Sequence, residues 1–375
     1  MSTTTTTTTT TTAGRADRLA RDAGERELDL LVVSEPADVR YLTGYTGSNG
    51  IAVVGPGRGG VRLFLTDFRY VTQVERQVGA DWDKRMAAQE LIGPGLAEHL
   101  PGGDGRTLRV GFDDGHISVK QHARLAGLLG DRAELVPAGG MVSALREVKD
   151  ASEVERLRAA SRLADAALSE IVERGLGGRT ERDVAIDLEM AMRRAGADAP
   201  SFPPIVASGA HGALPHAVPR DVAIEPGTLV TIDWGARLDG YCSDCTRTFA
   251  VGEPAGDARE VYELVLRAQE AALAAVRTGP TGREIDAVAR EIITAAGHGE
   301  HFGHGLGHGV GLEVHEGPVL SRRGETALVP GHAVTVEPGV YVPDRHGVRI
   351  EDLVVVTEDG ADVLTGLPKG LQVVA

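Results

Sequence analysis

The chain reads as an α+β protein of two domains, a smaller α/β domain followed by a larger one that is duplicated about an internal pseudo-two-fold axis. Two stretches carry the same phrase at an offset of 104 positions: Pro226-Gly227-Thr228-Leu229-Val230-Thr231-Ile232-Asp233 and Pro330-Gly331-His332-Ala333-Val334-Thr335-Val336-Glu337. Each is a Pro-Gly turn running into an alternating apolar strand that ends on a carboxylate. Two further stretches, beginning at Gly178 and Gly279, open helix patterns 101 positions apart, and a long helical pattern precedes each. Before these repeats, residues 13–140 alternate short apolar runs with helical patterns, the signature of an α/β domain.

With 375 residues, 42% of them hydrophobic, the chain can bury two cores. A formal charge of -15 and the lack of any basic run exclude the electrostatic footprint of a nucleic-acid binder. No apolar stretch approaches the roughly 20 residues that a spanning helix needs, so no membrane partner is expected. Thr3 to Thr12 form a polar homopolymer with nothing to bury, so residues 1–12 are expected to be a disordered tail. It carries no basic segment followed by an apolar one, and the expected location is cytoplasmic. Cys242 and Cys245 have CxxC spacing but no second pair, which favours two small buried hydrophobes over a redox or zinc motif.

The elements follow in order. In the first domain, residues 51–54, 61–65 and 108–112 read as strands and 119–129 as a helix, while Asp38 to Gly47 reads as a strand and turn. The second domain, residues 141–375, starts with a helix from about Ser152 to Arg174. Ser152 and Glu155 form its capping box, and apolar residues recur at Val154, Leu157, Leu163, Ala167, Leu168 and Ile171. Asp239-Gly240 is a two-residue hairpin turn, since both positions accept positive φ. It pairs Leu238 with Tyr241 and so puts Asp233 opposite Thr246, two residues from Asp244. Asp233 and Asp244 then share a face as a diagonal pair, with Cα atoms roughly 7–8 Å apart.

The second half supplies matching groups. Glu337 ends its strand. After a turn over residues 343–347, Arg349 and Glu351 share one strand face and Asp352 the other, by the period of two. Between the halves lies His301-Phe302-Gly303-His304-Gly305-Leu306-Gly307-His308-Gly309-Val310-Gly311. Its five glycines in nine residues argue for loop or strand and against a zincin-type helix. His315 and Glu316 follow. Four carboxylates and an imidazole in an apolar strand framework are too costly to bury unpaired. Oxygen-rich donors with one nitrogen favour Mn²⁺, Co²⁺ or Zn²⁺, and two ions are needed to neutralise four acids.

At these residues the chain resembles the creatinase and methionine aminopeptidase superfamily of "pita-bread" metallopeptidases, and within it the Xaa-Pro peptidases, aminopeptidase P and prolidase. The resemblance rests on Ala213 to His216, Asp233 to Asp244, Gly303 to Gly317, Glu337-Pro338-Gly339 and Gly347 to Asp352, with Asp38 to Gly47 resembling the creatinase-type N-terminal domain. It implies that Asp233, Asp244, His308, Glu337 and Glu351 hold two divalent ions, Mn²⁺ ahead of Co²⁺ or Zn²⁺, with Glu351 bridging. It further implies that Glu337 shuttles a proton, that His216 and His315 bind substrate and stabilise the intermediate, that His304 lines the site, and that Arg349 organises a neighbouring carboxylate. The substrate implied is a small peptide with proline in second position, cut as by an Xaa-Pro dipeptidase or aminopeptidase, and the assembly implied is a homodimer. Two other functions share the plan. A creatinase-like amidinohydrolase works without metal, and an inactive pita-bread module only binds peptides. Both usually lack the acids retained here. Methionine aminopeptidase shares the ligands, but its single-domain members do not need the N-terminal domain.

Overall fold

The computed structural model describes residues 12–56, 60–102, 105–254 and 256–375, and these divide into two compact units, residues 12–146 and 147–375. The Thr-rich tail lies outside the described residues as far as residue 11, and Thr12 already opens a helix, α1 (Thr12–Glu25). The division falls six residues later than the sequence suggested. All of helix Met141–Glu147 but its last residue stays with the first unit, where Arg146 forms a buried ion pair with Asp38 at 2.6 Å and Tyr41 donates to the Leu145 carbonyl.

In the first unit, strands β1 (Leu30–Val33), β2 (Ile51–Gly55), β3 (Val61–Thr66), β4 (Asp83–Met86), β5 (Leu108–Phe112) and β6 (Ala133–Pro137) form one sheet in the order β4-β3-β2-β1-β5-β6. The three strands and the helix read from sequence are all present, the helix as Val119–Leu129 with a Ser118–Gln121 capping box. The Asp38 phrase differs from expectation: Pro36–Thr43 is a helix, with Pro at its first position and Gly44 as a left-handed C-cap at φ 78°. Those boundary residues outweigh the short apolar alternation between them.

The second unit is built twice. Helices α2 (Ala151–Glu173) and α3 (Glu181–Arg194) precede strands β7 (Ile205–Ser208) and β8 (Thr228–Trp234). After β9 (Ala236–Leu238), β10 (Tyr241–Cys242) and β11 (Cys245–Val251), helices α4 (Ala258–Ala275) and α5 (Gly282–Ala295) repeat the plan. They lead to β12 (Gly307–Gly309), β13 (Glu316–Leu320), β14 (Ala333–Val336), β15 (Gly339–Val342), β16 (His346–Arg349) and β17 (Asp352–Val356). Thr180 and Thr281 cap the equivalent helices through their hydroxyls, and each also forms an isolated bridge, to Ala223 and Ala327. Gly227 and Gly331 take positive φ at the two Pro-Gly turns, 83° and 93°.

Each half has its own core. Leu168, Val184, Leu188, Val230, Ile232 and Trp234 are buried together in one, and Val261, Val265, Ile285, Ile293, Val334 and Val354 in the other. The first helix is capped two residues earlier than expected. Asp150 accepts from the amides of Ser152 and Glu153, and Glu153 returns the bond to the Asp150 amide. Asp150-x-x-Glu153 satisfies the same pattern as Ser152-x-x-Glu155, and the earlier carboxylate takes the free amides.

Candidate metal centre

The hairpin delivers its two acids as the turn chemistry requires. Asp239 and Gly240 take φ of 46° and 76°, Leu238 pairs with Tyr241, and Asp233 lies opposite Thr246. The register continues unbroken past Ser243 and Asp244, although these two leave the ladder. In the second half Glu337 directly follows β14, and Arg349 ends β16 two residues before Glu351. Asp352 turns the other way, as its period predicts, onto Arg247, Gln269, Thr365 and Lys369.

The two halves meet along a seam tied by threonines. Glu351 donates its amide to the Thr246 carbonyl, and the Thr248 hydroxyl bonds both the amide and the carbonyl of Arg349. The Thr246 hydroxyl accepts from Arg349 Nε at 3.1 Å and donates to Glu351 Oε2 at 2.7 Å. Arg349 also reaches Asp233 Oδ2 at 2.6 Å and the Tyr341 hydroxyl at 2.8 Å. One buried guanidinium thus holds one acid directly and a second through a hydroxyl.

His308 enters from β12. Its Nδ1 faces the Gly309 carbonyl at 3.0 Å, so that nitrogen carries the proton and Nε2 is left toward Glu337 Oε1 at 3.3 Å and Asp244 Oδ2 at 3.6 Å. Asp233, Asp244, His308, Glu337 and Glu351 all line one cavity of about 470 Å³, together with His216, His304, His315 and Arg349. Every site residue read from sequence therefore borders the same space. His304 binds the Gly305 carbonyl through Nδ1 and the Tyr341 hydroxyl through Nε2, and the His315 ring meets that of His308 edge to face at 4.4 Å.

The protein alone does not balance this charge. Burial, and then repulsion from Glu351, Asp233 and Glu337, pushes the Asp244 carboxyl far above its ordinary range. Burial and the Glu337 charge do the same to Glu351. Burial also raises Asp233 against the opposing pull of Arg349. Burial acts on Glu337 as well, but the His308 hydrogen bond and charge outweigh it and hold that carboxyl at about 2. Burial lowers the affinity of His315 for a proton, and the neighbouring His308 lowers it further.

Two observations test whether a cation fits. Asp233 Oδ1 and Glu351 Oε1 are buried with no hydrogen-bond partner among the described residues. Donor atoms of Asp244, His308 and Glu351 all lie within 4.8 Å of one another. Lone pairs aimed at a shared space, with no protein donor to meet them, are what a divalent cation satisfies.

Sequence reasoning missed several contributors. Thr246 could have been found, because the hairpin register places it opposite Asp233. Tyr341 and Thr335, which donates to Glu337 Oε1, gave no local signal. Neither did the apolar wall of Phe202, Pro203, Pro204, Ile205 and Val218.

The fold and the cluster of carboxylates with one imidazole fit the class of metal-binding hydrolases. Comparison with known proteins agrees. The sequence profile of metallopeptidase family M24 matches residues 155–358, and that of the creatinase/prolidase N-terminal domain matches residues 15–148. An Xaa-Pro dipeptidase of Pyrococcus furiosus is 36% identical over 351 residues, covering 94% of this chain and 97% of that relative. The solved structure of an Xaa-Pro dipeptidase from Bacillus anthracis superposes with a TM-score of 0.90 at 39% identity, covering 97% of this chain and 100% of the other. That of an X-Pro aminopeptidase from Thermotoga maritima gives a TM-score of 0.86 at 36% identity, covering 96% and 100%. The chain belongs to metallopeptidase family M24, with a creatinase/prolidase N-terminal domain and a pita-bread catalytic domain. Membership of that family carries divalent-metal binding with it. No helix among the described residues is long and apolar enough to cross a membrane.

Proposed function

We propose that this protein hydrolyses the peptide bond between an N-terminal residue and a following proline, using two divalent ions held by Asp233, Asp244, His308, Glu337 and Glu351. The observation that carries the reading is the pair of partnerless buried oxygens, Asp233 Oδ1 and Glu351 Oε1, inside a cavity with three further donors. Bound cations supply a water acidified to near-neutral pKa and a Lewis acid for the carbonyl. Mn²⁺ suits the oxygen-rich donor set best, with Co²⁺ or Zn²⁺ as alternatives.

The chain's own groups do the rest. Glu337 takes the proton of the attacking water and returns it to the departing prolyl nitrogen. His315, held neutral by burial, donates an N–H to the oxygen of the carbonyl under attack. His216 faces the same cavity and holds the substrate backbone. His304 has both ring nitrogens engaged, so it lines the cavity as a brace for Tyr341. Arg349 keeps Asp233 aimed inward. The apolar wall from Phe202 to Ile205, with Val218, suits a proline ring, which brings bulk but no N–H.

Relatives named dipeptidase and aminopeptidase are both close, so the length of the preferred peptide is settled by rates. Purified protein loaded with Mn²⁺ is expected to cleave an Xaa-Pro dipeptide or an Xaa-Pro-Xaa tripeptide and to lose that activity on chelation. Failure on both substrates, or activity that survives exhaustive chelation, would refute the reading. A cytoplasmic homodimer is part of the same proposal, supported by family membership, and light scattering of the purified protein tests the assembly.

A further inference from the structure

We infer that Asp286 and Arg290, on the second-half helix α5, form a clamp that positions the glycine-rich segment 302–308 for the hydrolysis proposed above, on which this inference rests. Neither residue borders the catalytic cavity, and neither belongs to the donor set. Their importance follows from what the segment lacks. A side chain at position 307 would put Cβ 2.0 Å from the Thr335 carbonyl oxygen, and one at 309 would put it 2.0 Å from that of Gly317. The close packing that brings His308 to the cavity therefore demands glycine. Glycine leaves the backbone softer than any other residue does, so stiffness has to come from outside the segment.

The helix supplies it. Asp286 and Arg290, one turn apart, share a helix face and pair bidentately, Nε to Oδ2 at 2.8 Å and Nη2 to Oδ1 at 2.7 Å. Asp286 is almost fully buried, and its Oδ1 also accepts the Leu306 amide at 3.0 Å. Arg290 donates to the carbonyls of Phe302 and His304, both at 2.8 Å, and its guanidinium lies 4.1 Å from the centre of the Phe302 ring. Three backbone groups within five residues are thus tied to one rigid pair. The next residues are β12 and His308, and the His304 ring runs on to Tyr341 and Arg349. The clamp acts through these groups, which makes Asp286 and Arg290 positioning residues.

Arg290 borders a surface cavity of about 550 Å³, so a small cation can reach its place from solvent. That makes chemical rescue the deciding experiment. The full chain and its Arg290→Ala, Arg290→Lys and Asp286→Asn variants are assayed with Mn²⁺ on Xaa-Pro substrates, and Mn²⁺ affinity is measured separately by competition with a chelating dye. In Arg290→Ala, kcat at saturating Mn²⁺ is expected to fall about 10- to 100-fold, Mn²⁺ affinity to weaken, and KM to stay within about threefold. Millimolar guanidinium is expected to restore part of both losses, whereas added guanidinium would only worsen a general loss of stability. Arg290→Lys keeps the charge but not the fork, and Asp286→Asn keeps the Leu306 acceptor but weakens the pair. Both are expected to fall between, and they carry the test if the alanine variant does not fold. Wild-type kcat and Mn²⁺ affinity in the variants, or losses that follow melting temperature and resist guanidinium, would overturn the clamp. An inactive wild type would instead refute the proposed function, and the affinity measurements would still judge the clamp.

Discussion

Replacing Arg349 by Met removes the guanidinium that joins Asp233 of the first half to the second half of the centre. The Arg349 guanidinium gives the Asp233 carboxylate its only hydrogen bond among the described residues, at 2.6 Å, and the two side chains are 5% and 14% exposed. Loss of such an outer partner weakens metal binding by about 10- to 100-fold. Asp233 would lose its bond and its nearest countercharge at once, which places the expected effect near the upper end, about 2.7 kcal/mol. The pH dependence has a definite sign. Arg349 opposes the burial that raises the Asp233 pKa, so without it the carboxyl holds its proton to higher pH and a cation must displace that proton. Competition between the protein and a chelating dye for Mn²⁺, at pH 8 and pH 6, is expected to show weaker binding in Arg349→Met at both values and a steeper loss toward pH 6. Circular dichroism checks that the variant is folded. Binding within about twofold of wild type at both pH values would refute the assignment of Arg349 as the organiser of Asp233.

Three other perturbations have expected outcomes. His216→Ala and His315→Ala are each expected to lower kcat/KM by about 10²–10³ with Mn²⁺ stoichiometry unchanged, since both lie in the cavity outside the donor set; loss of metal in either would contradict that placement. Gly307→Ala drives Cβ against the Thr335 carbonyl oxygen and is expected to cost about 1–3 kcal/mol in chemical denaturation and to weaken Mn²⁺ binding through His308; unchanged affinity would count against the need for close packing there. Glu181 is buried, but bonds from Arg220, Ser208 and the backbone outweigh burial and hold it at about 2, below its ordinary 4.5. A depressed carboxyl stabilises the fold above about pH 4.5 and loses that contribution as pH falls toward 2. Glu181→Gln is therefore expected to be less stable than wild type by about 3 kcal/mol at pH 7, with the gap narrowing below pH 4.5 in urea titrations. A gap that stays constant with pH would refute it.

The sites that sequence reasoning located are those governed by local rules. A two-residue Asp-Gly turn admits one register, so pairing Asp233 with Thr246 required only counting from the turn, and the strand period separated Glu351 from Asp352 before any coordinates. Local rules also misled where two of them competed. Asp150 and Ser152 both satisfy a capping box, and the Asp38 phrase alternates like a strand while Pro36 and Gly44 bound it as a helix.

By itself, then, the amino-acid sequence determined the α+β plan and the duplication and named the candidate donors, because turns, caps and periodicities are properties of neighbours along the chain. Only the tertiary structure decided which of those groups face one another. Arg349 on Asp233, Thr246 between Arg349 and Glu351, and Arg290 on the His304 carbonyl are contacts made when separate elements pack. The Asp233 and Glu351 oxygens without a protein donor among the described residues likewise arise only once the strands pack, and no pattern along the chain records that burial.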